Sequence, residues 1–292
     1  MYFISLIRLK QWTKNLICFA GVLFGNNLFD YELWFISFQT FLFFCLTSSS
    51  IYILNDISDI KVDAIHPKKK LRPMASGKIS IGTGFLVALI FITTALFFSY
   101  KVNFVLTTIL LLYIINNIFY NISFKKMPIA DVFSISFGFI LRLMAGIYCI
   151  GDTPTAWIFL CTMFLALFLG FSKRKAEFVK VNSYKDYNLA QRPVLKFYNE
   201  KIIDDMVSNS SIGAIFTYAL FTTTSGENST LVVTVPIVYY AISYYKVLLF
   251  EKGEGEEPES ILIKNRIIFS CVIIWFSLYI LIKYLDLQFF AA

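Results

Sequence analysis

A chain of 292 residues that is 58% hydrophobic, 18% aromatic and only 15% charged lies outside the range of soluble domains, which run at about a quarter charged. Its net charge of +7 is bunched at the edges of long uncharged windows, a placement that points to a membrane rather than to nucleic acid. A soluble enzyme with one buried helix and a single-anchor protein are both excluded.

In chain order, the windows without Asp, Glu, Lys or Arg are 15–29, 33–55, 79–100, 102–124, 153–172, 206–226, 228–245 and 267–282. A further window, 128–150, is broken only by Asp131 and Arg142. Roughly 20 apolar residues at about 1.5 Å each cross a hydrocarbon core of ~30 Å. The expectation is an all-α polytopic membrane protein of nine transmembrane helices, forming a single domain over 1–292.

The basic residues orient these spans. With the N-terminus in the cytoplasm, 22 of the 26 Lys and Arg fall in cytoplasmic segments. Lys101 and Lys283 alone fall outside, and Arg142 and Lys246 lie within helices. The C-terminus is then outside. This reads as an integral protein of a bacterial plasma membrane, with its functional segments facing the cytoplasm. Arg8, Lys10 and Lys14 precede an apolar run that lacks a small-residue cleavage site, so no cleavable signal peptide is expected. The five cysteines sit inside apolar windows without Cys-x-x-Cys spacing, and His66 is the single histidine. They read as small buried hydrophobes, not as a zinc or haem site.

The most informative stretch is IYILNDISDIKVDAIHPKKKLRPMASGKIS, which follows the second window. At about 100° per residue on a helix, Asn55, Asp56, Asp59 and Asp63 share one arc of about 100°. Three carboxylates on one face repel unless a cation joins them. Mg2+ favours a few carboxylates completed by water and substrate phosphates. Lys68, Lys69, Lys70 and Arg72 follow at once and suit anionic oxygens. A solvated charged loop explains the lysines equally well, but not the aspartate spacing. His66 before Pro67 reads as a turn residue.

The N-D-x-x-D-x-x-x-D pattern of Asn55–Asp63 resembles the first aspartate-rich motif of the UbiA superfamily of intramembrane prenyltransferases. Four further fragments are similar to one subgroup of it, the polyprenyl-phosphate (decaprenyl-phosphate) phosphoribosyltransferases. They are RLKQWTKN at 8–15, HPKKKLRPMASG at 66–77, SKRKAE at 172–177 and GEEPESI at 255–261. Leu9 and Ser172 depart from the subgroup's proline and glycine, without a change of charge. The resemblance implies a UbiA-like bundle of nine helices and a Mg2+ cofactor. Asn55, Asp56, Asp59 and Asp63 would hold the metal, with Asp56 and Asp59 catalytic.

By the same resemblance, Gln11, Lys14, Lys68, Arg72, Tyr120, Lys125 and Arg142 are candidates for binding donor phosphates. Taken alone, Lys14 reads as an interfacial anchor and Trp12 as an aromatic-belt residue. Asp131 and Arg142 share a helix face about 16 Å apart along the axis. Either binds the ribose 5-phosphate or pairs with polar neighbours such as Asn116 or Asn117, and both readings stay open.

Typical UbiA prenyltransferases resemble one another in a second acidic motif after the sixth helix. Here that place reads GFSKRKAEFVKVNS, with Lys173, Arg174 and Lys175 where aspartates are expected, and Glu177 beside them. A positive cluster suits a phosphate that arrives without metal. A stop-transfer cluster at a helix end accounts for it as well. With the resemblance, Lys173, Arg174 and Glu177 become candidates for binding the acceptor phosphate. The acidic residues Glu254, Glu256, Glu257 and Glu259 read as a solvated turn.

The expected reaction is Mg2+-dependent transfer of a 5-phosphoribosyl group from 5-phosphoribosyl diphosphate to a polyprenyl phosphate. One alternative is prenyl transfer to an aromatic acceptor, which the missing second aspartate motif opposes. Another is a transporter, which would place polar residues near the midplane rather than at the helix ends. The expected partners are the two substrates and membrane lipid. Homo-oligomerisation stays open, since no small-x-x-x-small face stands out.

Overall fold

A computed structural model describes residues 2–25, 28–65, 69–183, 193–224 and 228–290, the side chains at 182, 183 and 259 apart. Every regular element among them is helical. The chain divides into two compact units, Met1–Pro154 and Thr155–Ala292.

The first unit opens with α1 (Tyr2–Ile7), a 3-10 helix (Leu9–Phe19) and the short α2 (Ala20–Phe24). The long α3 (Tyr31–Ser58) and the short α4 (Ile60–Ala64) follow, then a 3-10 turn (Lys69–Leu71) and α5 (Ile81–Val102). The unit closes with α6 (Phe104–Ile122), a 3-10 turn (Phe124–Lys126) and α7 (Ala130–Tyr148). Polar caps set several helix starts, because the first turn of a helix leaves backbone N–H groups without partners. Asp30 accepts from the N–H groups of Glu32 and Leu33, Ser80 from Thr83 and Asn103 from Val105.

The core of this unit packs Phe43, Phe44 and Ile51 of α3 against Leu106, Leu110 and Tyr113 of α6 and Leu141 and Ala145 of α7. The 3-10 helix and α2 lie close on α7. A Cβ at Gly146 would stand 2.1 Å from the Cys18 carbonyl oxygen, and one at Gly21 would stand 2.6 Å from the Gly146 carbonyl oxygen. Glycine on both sides lets the two backbones meet, as small residues do between membrane helices.

The second unit holds α8 (Ala156–Ser183), a 3-10 turn (Pro193–Phe197), α9 (Glu200–Thr224), a 3-10 turn (Ser229–Thr234), α10 (Val235–Lys252), α11 (Pro258–Lys264) and α12 (Arg266–Tyr284). α8 and α9 pair extensively, with Phe164 filling the space beside Gly213. Tyr218 ties three elements together. Its hydroxyl lies 2.6 Å from Thr234 Oγ1 and accepts from Trp275 Nε1 at 2.6 Å. Gly253 ends α10 in the left-handed conformation, with φ 63°.

Among the described residues, seven helices are long and apolar enough to cross a membrane. Two of the nine expected windows have another form. Window 15–29 falls on the end of the 3-10 helix and on α2, and window 206–226 falls on α9. The latter opens with Glu200, Lys201, Asp204 and Asp205 and is rich in Ser and Thr, which lowers its mean hydropathy.

Candidate functional site

The aspartates do not continue one helix. α3 ends at Ser58, Asp59 takes φ −99° and ψ 8°, and α4 starts at Ile60. The break redistributes the four residues that an unbroken helix would keep on one arc. Asp56 and Asp63 are buried and converge on Arg72, whose Nη1 donates to Asp56 Oδ1 at 3.0 Å and to Asp63 Oδ2 at 2.6 Å. Arg8 Nη2 also donates to Asp56 Oδ1, and Lys69 Nζ lies 4.0 Å from Asp63 Oδ1. Asp59 turns elsewhere and accepts from Lys125 Nζ at 3.0 Å. The Asn55 side-chain oxygen, Oδ1, accepts from Asn121 Nδ2.

Arg8 was not among the expected site residues. It stands between α1 and the 3-10 helix with φ 55° and ψ 52°, a left-handed conformation uncommon outside glycine. That turn carries its guanidinium to Asp56 and over the Tyr52 ring, 5.1 Å from the centroid. Burial lowers the Arg8 pKa from its ordinary value, and the Asp56 carboxylate opposes the shift. The signal in the sequence was the resemblance of RLKQWTKN, which begins at Arg8. Among the described residues, three carboxylates thus meet four cations, Arg8, Lys69, Arg72 and Lys125. The cluster is not an acidic surface. It is a near-neutral lattice with a small positive excess, which suits a polyanionic ligand.

The described residues contain no preassembled group of three or more His, Cys, Asp or Glu side chains for a metal. The donor set nevertheless fits a hard divalent cation. Two buried carboxylate oxygens, from Asp56 and Asp63, point at one shared cationic atom, Arg72 Nη1. Oxygen donors with room for water and phosphate are what Mg2+ takes. Asp56 and Asp63 would hold such an ion, which would supply there positive charge of the kind Arg72 now gives them.

The other donor-phosphate candidates are dispersed. Gln11 and Lys14 lie on the 3-10 helix, Tyr120 lies near the end of α6, and Lys68 lies outside the described residues, as does His66, the expected turn residue. Arg142 is buried in α7, where neutral groups surround it. Its Nε donates to Asn15 Oδ1, its Nη1 to the Gly138 carbonyl and its Nη2 to the Tyr113 hydroxyl, each at 2.7 Å. The guanidinium also lies 4.6 Å from the Tyr113 ring centroid and 5.4 Å from that of Phe139. Of the two readings open for Arg142, this geometry is the pairing one, with Asn15 as the partner. Asn116 instead pairs with Ser134. The Arg142–Asn15 bond spans 127 positions and fastens the 3-10 helix to α7.

In the second unit, Lys173, Arg174 and Glu177 sit on α8. Arg174 is fully buried and donates to Glu177 Oε2 at 2.5 Å. Lys175 is also buried, and its Nζ lies 3.1 Å from Glu200 Oε1 and 2.7 Å from Asp204 Oδ1 on α9. Lys180 pairs with Glu256, so this part of the acidic turn is docked rather than solvated. Gly255 allows the docking, because a Cβ there would lie 3.2 Å from the Ser172 carbonyl oxygen and 3.3 Å from Ala176 Cβ. Glu200 and Asp204 were not expected at this site. The span between 175 and 200 hides the pairing from any local pattern.

The match to known proteins follows the same elements. A family model described as the UbiA prenyltransferase family matches residues 16–281. The chain belongs to this family. It is a transferase of the UbiA superfamily, with that superfamily's all-helical fold. Two curated relatives of this UbiA-family chain are named decaprenyl-phosphate phosphoribosyltransferase. One, from Corynebacterium glutamicum, is 27% identical over 93% of this chain and 83% of its own length. The other, from Mycolicibacterium smegmatis, is 26% identical over 93% of this chain and 89% of its own length. Among solved structures, a UbiA homolog from Archaeoglobus fulgidus bound to GPP and Mg2+ superposes with a TM-score of 0.74 at 19% identity. That superposition covers 98% of this chain and 99% of the other.

Proposed function

We propose that this UbiA-family enzyme transfers a 5-phosphoribosyl group from 5-phosphoribosyl diphosphate to a polyprenyl phosphate, with Mg2+ as cofactor. The observation that carries the reading is a reversal of sign. Buried carboxylates stand at Asp56 and Asp63, and buried cations at Arg174 and Lys175, where a second acidic motif would otherwise be expected. The names of the curated relatives support the same reading.

In this reading the first unit binds the donor diphosphate through Arg8, Arg72 and Lys125, with Gln11, Lys14, Lys68 and Tyr120 as further contacts. Mg2+, when bound by Asp56 and Asp63 with Asn55 and Asp59 nearby, supplies charge neutralisation for the departing diphosphate. The cations act in the same sense by stabilising charge that grows as the bond from the anomeric carbon to the diphosphate oxygen breaks. An oxygen of the acceptor phosphate forms the new bond to that carbon. A phosphate monoester is already anionic at neutral pH, so no strong general base is required. Lys173, Arg174 and Glu177 with Lys175 serve the acceptor phosphate. The products are polyprenylphosphoryl-5-phosphoribose and diphosphate.

The chain acts as one catalytic domain in a bacterial plasma membrane, with the N-terminus and the basic segments in the cytoplasm.

A paired donor assay on the purified protein in detergent with Mg2+ tests the reading. One arm supplies labelled 5-phosphoribosyl diphosphate with polyprenyl phosphate, and the other a labelled prenyl diphosphate with aromatic acceptors. The expected result is label in the lipid phase in the first arm only, lost without Mg2+ and in Asp59→Ala. Transfer in the second arm only would overturn it in favour of prenyl transfer, the reading that the GPP-bound relative favours.

A further inference from the structure

Two cations lie inside apolar helices, and their surroundings differ. Arg142 is buried, and three of its N–H groups are committed. Lys246 of α10 is half-buried, and among the described residues its one polar partner is the Ser208 hydroxyl, 3.2 Å from Nζ. An ammonium has three donors, so two remain for a ligand. An ionisable side chain kept within an apolar helix is costly unless it is used.

The neighbours of Lys246 define what it can bind. Ser208 stands one turn beyond Asp204 on α9, and Asp204 holds Lys175. Lys175 Nζ also lies 5.4 Å from the centroid of Phe250, one turn beyond Lys246 on α10. Lys175 and Lys246 therefore meet the same two turns of α9 and α10, about 6 Å apart along the axis. A tetrahedral oxyanion carries enough free oxygens to serve two ammonium groups. Lys246 lies six residues before the end of α10, about 9 Å along the helix. A lipid headgroup suits that depth, because its tail stays in the membrane beside apolar helix surface.

We propose that Lys246, Ser208 and Lys175 form a site for a lipid-borne phosphate monoester. The site rests on the proposed function in so far as it is assigned to the polyprenyl phosphate acceptor. Lys246 contributes the cation that no carboxylate among the described residues neutralises. Lys175 contributes a second cation, and one of its two carboxylate partners, Glu200, is open to solvent and can yield to phosphate.

Equilibrium binding to the full chain in detergent tests this without any turnover. The probes are a short-chain polyprenyl phosphate, inorganic phosphate and phosphatidylglycerol, a phosphodiester. In Lys246→Gln the Kd for polyprenyl phosphate should rise about 10-fold and should recover within about 3-fold in Lys246→Arg. Ser208→Ala should weaken binding about 2-fold, and the Kd for 5-phosphoribosyl diphosphate should not change. Thermal midpoints of each variant establish that it is folded, and Ser208→Ala keeps the test open if Lys246→Gln is not. Unchanged polyprenyl phosphate binding in folded Lys246→Gln overturns the site. So does a loss confined to phosphatidylglycerol, which would make it a contact for bulk lipid. Phosphoribosyl transfer by the wild type with unaltered binding in Lys246→Gln refutes the site and leaves the reaction standing. Lys246-dependent binding without phosphoribosyl transfer does the reverse.

Discussion

In the first unit the two carboxylates that meet at Arg72 are inside and their cations outside, whereas Asp59, 39% exposed, lies further out than its partner Lys125 at 23%. The side chains of Asp56 and Asp63 are 3% exposed, against 22% for Arg8 and 29% for Arg72. In the second unit the arrangement is inverted. Arg174 and Lys175 are 1% and 4% exposed, while Glu177, Asp204 and Glu200 are 16%, 33% and 75% exposed. A buried charge is held by the fold and cannot leave without a large desolvation imbalance, whereas its exposed partner can be exchanged for another ion of the same sign. In the proposed function the first cluster exchanges cations against Asp56 and Asp63, as a metal–diphosphate site requires, and the second exchanges anions against Arg174 and Lys175, as a phosphate site requires.

The comparison breaks hardest at the carboxylate that two arginines share. Asp56→Ala leaves Arg8 and Arg72 crowded without their shared carboxylate. The expected cost is about 3–5 kcal/mol of stability and at least ~100-fold in transfer rate, read from the thermal midpoint in detergent and from initial rates. A variant as stable and active as the wild type would remove the first cluster from the function. Gly146→Ala tests the scaffold instead. Its methyl would meet the Cys18 carbonyl backbone to backbone, so the 3-10 helix that follows Arg8 must shift. About 1–3 kcal/mol should be lost, together with affinity for the donor but not for the acceptor, as binding titrations with each substrate would show.

Lys175→Met sharpens the other side. Glu200 is open to water but the Asp204 oxygen facing Lys175 is buried, so the expected loss is about 1–3 kcal/mol, with a rise of about 10-fold in the acceptor KM and no change in the donor KM. A larger effect on the donor would contradict the assignment of the two clusters. Arg72→Gln separates metal from phosphate. With its cation gone, half-saturation by Mg2+ should fall about 3-fold while the KM for the donor rises, and metal titrations at fixed donor measure both. Shifts in the same direction would show that Arg72 does not compete with the metal. The smallest effect belongs to Glu200→Gln, a change at an exposed ion pair, for which less than about 0.5 kcal/mol is expected by thermal unfolding.

Much of this site was legible residue by residue. Asp56, Asp59, Asp63, Arg72 and Lys125 were expected together, and the structure brings them together, although the break at Asp59 sends that residue to Lys125 and not to its neighbours. Arg8 and Asn121 were missed because they reach Asp56 and Asn55 across 48 and 66 positions. Arg142 looked like a phosphate ligand or a polar pair, and the structure pairs it with Asn15 and Tyr113, from other helices.

Sequence alone determined the helical membrane architecture, the family and the identity of the acidic and basic stretches. Those properties are written locally, in apolar run length, charge bunching and motif spacing. Tertiary structure decided which charge in each cluster is buried, which partner is exchangeable and which lysine keeps unused donors. Burial is set by what packs over a residue from distant segments, and the strength of a charge depends on that covering more than on its neighbours in the chain. The same Lys and Asp can serve as a solvated edge or as a binding site, and the fold chooses between them.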